Sequence, residues 1–507
     1  MKQQAIIGVD IGTTSTKAVA FGVAGKPLFQ YAVEYPILST DPEMAEQDPD
    51  QVFEAVLKAL KTVSTLVVEG EYSLKGVSFS SAMHSLIAMD GEGSRLTNCI
   101  IWADTRSKAQ ANALRGTPKG LDIYLQTGTP IHPMSPLVKL AWLREKHPAT
   151  FEKTAKFIGI KEYVFFKLFG EYKVDYSIAS ATGLFNIFTL DWYPEALEVA
   201  GVTADVLPEP VPPTYSFRSL KPAYALKLSI PASVPFVIGA SDGCLANLGS
   251  NAVQAGHGVV TIGTSGAIRV TSDKPATDQL ERIFSYILTP EHYVLGGAVN
   301  NGGVILRWFR DNFYALEAAE ARRNEIDPYD LMAEKAAAIP PGSDGLLCLP
   351  YLLGERSPIW DASARGCFIG AHYNHTREHF LRAMMEGVIF GVYSVGKALE
   401  QTVGPIDAIY ANGGFSKSAM WVQMLADVFN KKVMLTETPE GSAFGAAVLG
   451  MYALGMIENL EEAEQMITVT QTFVPDQAVH QQYMHNYTLF EELYPKLKDT
   501  FQKFTEW

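Results

Sequence analysis

The chain has 507 residues, 47% hydrophobic and 19% charged, the profile of an ordinary globular protein, and its length exceeds the ~250–300 residues at which one core stops growing, so two or more domains are expected. A formal net charge of −14 without a long lysine or arginine run removes the basic footprint of a nucleic-acid partner. No apolar run approaches the ~18 residues of a membrane span, so a soluble, membrane-free protein is expected.

The first predicted elements are two strands, "AIIGVDIG" and "TKAVAFGV", around a Gly-Thr-Thr turn, continued by "GKPLFQYAVEYPIL". The first strand ends on a lone carboxylate, Asp10, and turns at once through Gly12, Thr13 and Thr14, with Lys17 just beyond. A glycine turn can aim several backbone N–H groups into one concavity, and hydroxyls and a lysine add donors, which suits a polyphosphate. Asp10 sits badly beside phosphate unless a divalent cation lies between them, and Mg²⁺ prefers such carboxylate–phosphate sites. A plain hairpin, with glycine for geometry and threonines for β-propensity, is the alternative.

A helix follows in "DPDQVFEAVLKALKTVSTLVVEG", with Asp48 as N-cap and Pro49 at its first position. "LKGVSFSSAMH" reads as a buried strand whose end carries Met83 and His84. Strands leading to a helix and back to a strand indicate an α/β domain. Residues Leu207 to Pro235 are proline-rich, a surface connector, and "FVIGASDG" is a buried strand ending on Asp242.

"GVVTIGTSGAIRV" at 258–270 then repeats the logic of the opening: strand, Gly263-Thr264, a small hydroxyl residue, strand. Two such echoes suggest two domains of similar build, although two short matches could also arise by chance. Further on come a strand into a glycine-rich turn ("HYVLGGAVNNGG"), a helix ("ILRWFRDNFYAL"), and a long amphipathic helix ("REHFLRAMMEGVIFGVYSVGKALEQ"). "ANGGFSKSAMW" is a strand, the pair Gly413-Gly414, and a helix whose N-terminus favours anions. "GSAFGAAVLGMYALG" is a last helix of small residues. There is no P-loop and no dinucleotide fingerprint. The four cysteines lack metal-ligand spacing and fit a reducing compartment. The apolar stretch before Asp10 is too short for a signal-peptide core, so a cytoplasmic location is expected.

Taken together, "GVDIGTTSTKA", "MSPLVKLAWLREKHP", "GASDG", "IGTSG" and "GGFSKSAMWVQMLADVF" resemble the FGGY family of carbohydrate kinases, from about residue 5 to about residue 455. The resemblance implies an α/β fold of two actin-like (ribonuclease-H-like) domains, 1–245 and 246–507, with a central catalytic cleft for ATP and sugar. It implies that Asp10 helps hold Mg²⁺, that Gly12, Thr13, Thr14 and Lys17 form one phosphate hairpin, and that Gly263 and Thr264 form a second. Gly413, Gly414 and Ser418 would lie on the adenosine side, with Asn301 and Gly303 near the nucleotide. Asp242 would be the general base that accepts the proton of the attacking hydroxyl; an N-cap role is its plain alternative.

On the sugar side the same resemblance assigns Met83, His84, Trp102, Asp104 and Arg106. Members that act on pentuloses or gluconate carry Met-His at the first pair, whereas those that act on glycerol carry Arg-Glu. "SSAMHSLIAMD", "IIWADTRS", "TGTPIHPMSPL", "GIKEYVFFKLFG" and "VDYSIASATGLFN" lean towards D-gluconate, phosphorylated on its 6-hydroxyl. Its carboxylate would need a cation, Arg106 or Lys161, although Lys161 lies in a segment common to the family whatever the sugar. Lys139 and Trp142 belong to a family motif that packing alone could explain. The competing readings are a pentulose kinase, an actin-like ATPase and a non-catalytic sugar sensor; a homodimer is left open.

Overall fold

The computed structural model describes residues 2–437 and 441–504. They form two compact units. The first comprises 2–254, 271–294 and 441–468, and the second 255–270, 295–437 and 469–504.

The first unit is built on a sheet whose strands run in the order Ser216–Phe217, Phe236–Ser241, Ser73–Ser81, Gln4–Ile11, Ser15–Gly22, Pro27–Glu34. The three strands at 4–34 are antiparallel neighbours, while Ser73–Ser81 is parallel to Gln4–Ile11 and Phe236–Ser241 is parallel to Ser73–Ser81. Side-chain alternation decides what each face meets. Ala5, Ile7 and Val9 join a core with Val52, Val56, Leu60 and Val63 of the Pro49–Glu69 helix. That helix begins as its sequence dictates, with Asp48 accepting from the Asp50 N–H and proline in the first turn.

Ile6 faces the other side, in a core with Ala443, Ala446 and Ala447 of the Gly441–Ala453 helix. This helix lies at backbone distance from the strand: a Cβ on Gly8 would stand 2.0 Å from the carbonyl oxygen of Ala443. A run of small residues near the end of the chain therefore completes the first unit. The proline-rich stretch after Leu207 is more than a surface connector, because it contributes short strands at Glu209–Val211 and Ser216–Phe217 and a helix at Pro222–Leu228.

The second unit repeats the plan. Its sheet includes the order His292–Val299, Gly266–Ser272, His257–Ile262, Ala408–Asn412, Val433–Glu437. His257–Ile262 is antiparallel to Gly266–Ser272 and parallel to Ala408–Asn412, which is parallel to Val433–Glu437. The echo between the two hairpin turns thus extends to sheet topology. The expected helix at 305–316 is broken at Tyr314, giving Gly303–Phe313 and Ala315–Arg323. The Arg377–Val403 and Ala419–Phe429 helices complete the frame of the site.

Candidate active site

In the first unit, three parallel strands end side by side, and in open α/β sheets such carboxyl ends are where ligands bind. Asp10 is the Cα partner of Ser80 and of Lys17, Ser80 is the partner of Ala240, and Ser81 that of Ser241. The strand ends therefore bring Asp10, the Met83-His84 pair and Asp242 to one edge of one sheet. Ser80, which no sequence signal singles out, donates its hydroxyl to Asp10 Oδ1 at 2.7 Å.

The opening turn is closed by the Gly12 N–H on the Ser15 carbonyl, 2.9 Å. Its carbonyls are tied back into the unit: Tyr35 Oη donates to Gly12 O (2.7 Å), Gln47 Nε2 to Thr13 O (2.6 Å), and the Tyr35 N–H to Thr14 O (3.0 Å). In a trans peptide the N–H points opposite the carbonyl. Anchoring the carbonyls of Gly12 and Thr13 therefore turns the N–H groups of Thr13 and Thr14 away from the protein, as an anion cradle requires. Trp102, 40% exposed, donates Nε1 to Thr13 Oγ1 at 3.0 Å and so joins its own segment to this turn.

Asp242 is the first residue of the Asp242–Leu248 helix. The cap is Ser241, whose hydroxyl accepts from the Cys244 N–H, so the N-cap alternative for Asp242 does not apply. Asp242 Oδ1 accepts from the Gly243 N–H at 2.7 Å, and a negative charge is favoured at a helix N-terminus. His84 is buried and adopts φ +66°, a left-handed conformation that costs strain in a residue with a Cβ and clusters at functional sites. Its Nδ1 donates to the Ala181 carbonyl at 2.7 Å. Met83 packs against the core beside it.

Three other candidates have partners that redefine them. Asp104 is 1% exposed, and it accepts from the Ala45 N–H and from Arg106 Nε. Arg106 also places Nη2 2.6 Å from Glu46 and lies over the Trp142 ring at 4.6 Å. The fork expected to grip a substrate carboxylate is thus already committed to two protein carboxylates. Lys161 is buried, with Nζ 2.6 Å from Asp175 Oδ2 and donating to the Ala240 carbonyl. It is a buried ion pair behind the strand that leads to Asp242, and burial raises the Asp175 carboxyl against the pull of Lys161. Neither expected cation is a spare charge, because tertiary partners were placed beside them from distant segments.

In the second unit, the hairpin at Gly263-Thr264-Ser265 is closed by Gly263 N–H on Ser265 O, 2.9 Å. The first amides of the Gly303–Phe313 helix hold its carbonyls: Gly303 N–H on Gly263 O (2.7 Å) and Val304 N–H on Thr264 O (3.0 Å). The same peptide geometry aims the Thr264 and Ser265 N–H groups outward. Only glycine allows this approach, since a Cβ on Gly303 would stand 2.6 Å from the Gly263 carbonyl oxygen.

A cavity of about 330 Å³ opens beside this hairpin. Gly263, Thr264, Gly303, Gly414 and Ser418 line it, with Arg307 and Lys417 as cations and Tyr329, Phe415 and Trp421 as apolar walls. A Cβ on Gly414 would meet nothing within 4 Å, so the backbone there faces open space. Gly413 does not line the cavity; it has φ +97°, and a Cβ would stand 2.5 Å from the Ile262 carbonyl oxygen. Asn301 does not line it either. Its amide donates to Gly354 O and Glu355 and accepts from the Leu353 N–H, which fixes the 353–355 loop. Burial raises the Glu355 carboxyl to about 7, opposed by the bonds from Asn301 and from the amides of Asn300 and Arg356. Arg307 and Lys417 were missed in the sequence; the first follows the glycine run on the same helix, a usable signal.

A hard cation such as Mg²⁺ takes few carboxylates together with substrate oxygens. Among the described residues no group of three or more His, Cys, Asp and Glu is placed to hold a metal, whereas Asp10 presents a carboxylate at the strand edge beside the outward amides of Thr13 and Thr14. That donor set fits a Mg²⁺ shared with phosphate. Among the described residues no helix is long and apolar enough to cross a membrane.

The comparisons with known proteins bear on the family and the fold. The model of the N-terminal domain of the FGGY family of carbohydrate kinases matches residues 5–249, and that of the C-terminal domain residues 258–454. The chain is 45% identical to a gluconokinase of Bacillus subtilis over 503 residues (99% of this chain, 98% of that one), and 31% identical to the xylulose kinase of the same strain over 498 residues (97% of each). A crystal structure of gluconate kinase from Lactobacillus acidophilus superposes with a TM-score of 0.94 at 35% identity, covering 99% of this chain and all of the other. Two matched domains, a repeated sheet plan and paired outward-facing hairpins lead to one conclusion: the chain belongs to the FGGY family of carbohydrate kinases.

Proposed function

We propose that this carbohydrate kinase transfers the γ-phosphoryl group of ATP to the 6-hydroxyl of D-gluconate. The observation that carries the reading is the shared edge of the first unit's sheet, where Asp10, His84 and Asp242 stand at the ends of adjacent parallel strands. Phosphoryl transfer asks a protein mainly for positioning and charge stabilisation. Asp242 takes the proton from the attacking sugar hydroxyl, whose oxygen bonds to the γ-phosphorus as the bond to ADP breaks. His84, its ring held by the Nδ1 bond to the Ala181 carbonyl, contacts a sugar hydroxyl. The outward amides of Thr13 and Thr14, with Lys17, receive phosphate oxygens; in the second unit the cavity beside Thr264 and Gly414 receives the adenosine. Mg²⁺, held by Asp10, would neutralise phosphate charge. ATP and free thiols both belong to the cytoplasm, where we place the enzyme.

Gluconate is favoured over a pentulose by the 45% identity to a gluconokinase against 31% to a xylulose kinase. The pentulose reading keeps one support: a xylulose kinase from Lactobacillus acidophilus superposes with a TM-score of 0.93 at the same 35% identity. The test is ADP release across gluconate, xylulose, ribulose, glycerol and fuculose, with wild type and Asp242→Asn. Gluconate is expected to lead by kcat/KM, and Asp242→Asn to lower kcat by at least about 10²-fold with nucleotide affinity retained. A leading pentulose overturns the substrate, and a variant that keeps more than about a tenth of wild-type kcat overturns the base.

A further inference from the structure

The Pro136–Lys146 helix carries a lysine that the mechanism does not use. Lys139 is 1% exposed, and its Nζ donates to the carbonyls of His84 (2.6 Å), Ile101 (2.8 Å) and Ile100 (3.3 Å). An ammonium has three N–H groups and accepts nothing, so three carbonyls match its donors in number. The carbonyls belong to two segments distant in sequence. One is His84 itself, in its left-handed conformation; the other immediately precedes Trp102. Leu86 and Ile100 exchange backbone hydrogen bonds between the same segments, so the ammonium sits where they are already joined. Burying an ammonium is unfavourable, and an apolar side chain fills such a space at lower cost. Packing alone therefore does not account for a lysine here.

We infer that Lys139 is a positioning residue for the sugar: its ammonium holds the backbone from which His84 and Trp102 project, and so sets sugar affinity independently of nucleotide affinity. This rests on the reading of those two segments as sugar-facing. Ile100 O also accepts from the Leu86 N–H and Ile101 O from the Asp104 N–H, so the ammonium's shortest bond, to the His84 carbonyl, is the one that ties the helix to that residue. Burial lowers the Lys139 pKa to about 7, with Asp104 and Cys99 opposing that fall and Arg106 adding to it.

The test is steady-state kinetics of Lys139→Gln and Lys139→Arg, with gluconate and ATP varied separately and cooperative thermal unfolding checked for each variant. Gln is neutral and can serve at most two of the carbonyls. It is expected to raise the KM for gluconate by at least about tenfold while that for ATP stays within about twofold. Arg keeps the cation but presents a rigid plane, and should fall between wild type and Gln, at least about threefold above wild type for gluconate. If Gln does not unfold cooperatively, Arg carries the test alone. A purely structural lysine predicts a lower melting temperature with wild-type KM in the folded enzyme, and that result overturns the proposal. His84→Ala and Trp102→Ala separate the two possible failures. If they raise the gluconate KM and the Lys139 variants do not, the positioning role is wrong and the sugar-facing reading stands. If none of the four variants moves it, the sugar-facing reading is what fails.

Discussion

Replacing Lys161 by methionine separates a buried structural charge from a substrate-binding one. Lys161 and Asp175 are 1% and 0% exposed by side chain, 2.6 Å apart, and Asp175 also caps the Tyr176–Ser180 helix through Oδ1 on the Ile178 N–H. Methionine nearly conserves the volume but leaves a buried carboxylate facing apolar surroundings. Breaking a buried pair in this way costs about 3–5 kcal/mol, largely the penalty of the charge left behind. The damage should not stay local. Lys161 also holds the carbonyl of Ala240, and Ser177 Oγ of the capped helix accepts from the Ser241 N–H, so the strand end that carries Asp242 loses two anchors. Adding Asp175→Asn removes the orphaned charge while keeping an oxygen for the cap, and should restore at least about 2 kcal/mol, a coupling expected of directly contacting residues. Urea unfolding followed by fluorescence, with activity recorded in parallel, measures both terms. Folded Lys161→Met enzyme should bind gluconate and a neutral sugar with equal, modest losses. If it instead stays within about 1 kcal/mol of wild type and loses affinity for gluconate alone, Lys161 meets the substrate carboxylate and the structural assignment is wrong.

Arg106→Lys breaks a guanidinium network with Asp104 and Glu46, so KM should rise about threefold to tenfold for gluconate and for any neutral sugar accepted weakly; a loss confined to gluconate would return Arg106 to the carboxylate. Burial, with the charge of Asp175, raises Glu162 from 4.5 to about 7 against the pull of Lys161. Its stabilising contribution is therefore present below about pH 4.5 and lost as pH rises through about 7, so from pH 5 to 8 the stability of Glu162→Gln relative to wild type should improve by about 2.5 kcal/mol. Parallel pH profiles from denaturant unfolding would refute that shift.

What the sequence determined by itself was local or repeated. Asp48 before Pro49 starts a helix because a side-chain oxygen can take an N–H of the first turn from that position. Gly-Thr after a strand makes a hairpin, and its second appearance suggested a second unit because the same short-range geometry follows from the same residues. Asp10, His84 and Asp242 were legible as strand-end residues for that reason. The Ile160–Phe169 helix was harder to read as an element: it is buried at Ile160, Lys161, Glu162, Tyr163, Val164, Phe165 and Leu168, and a helix apolar on nearly every side has no periodic stripe.

Only the tertiary structure decided what the charged residues do. Arg106, Lys161, Lys139 and Asn301 are chemically able to bind a ligand, and apart from Asp104 two residues before Arg106 no near neighbour along the chain says otherwise. Their partners come from elsewhere: Glu46 for Arg106, Asp175 and Ala240 for Lys161, His84 for Lys139, the 353–355 loop for Asn301. It also decided that the Gly441–Ala453 helix packs on the first strand, where Gly8 lets two backbones touch. Turns and caps are set by atoms a few residues apart, whereas the function of a charge is set by what folding places beside it.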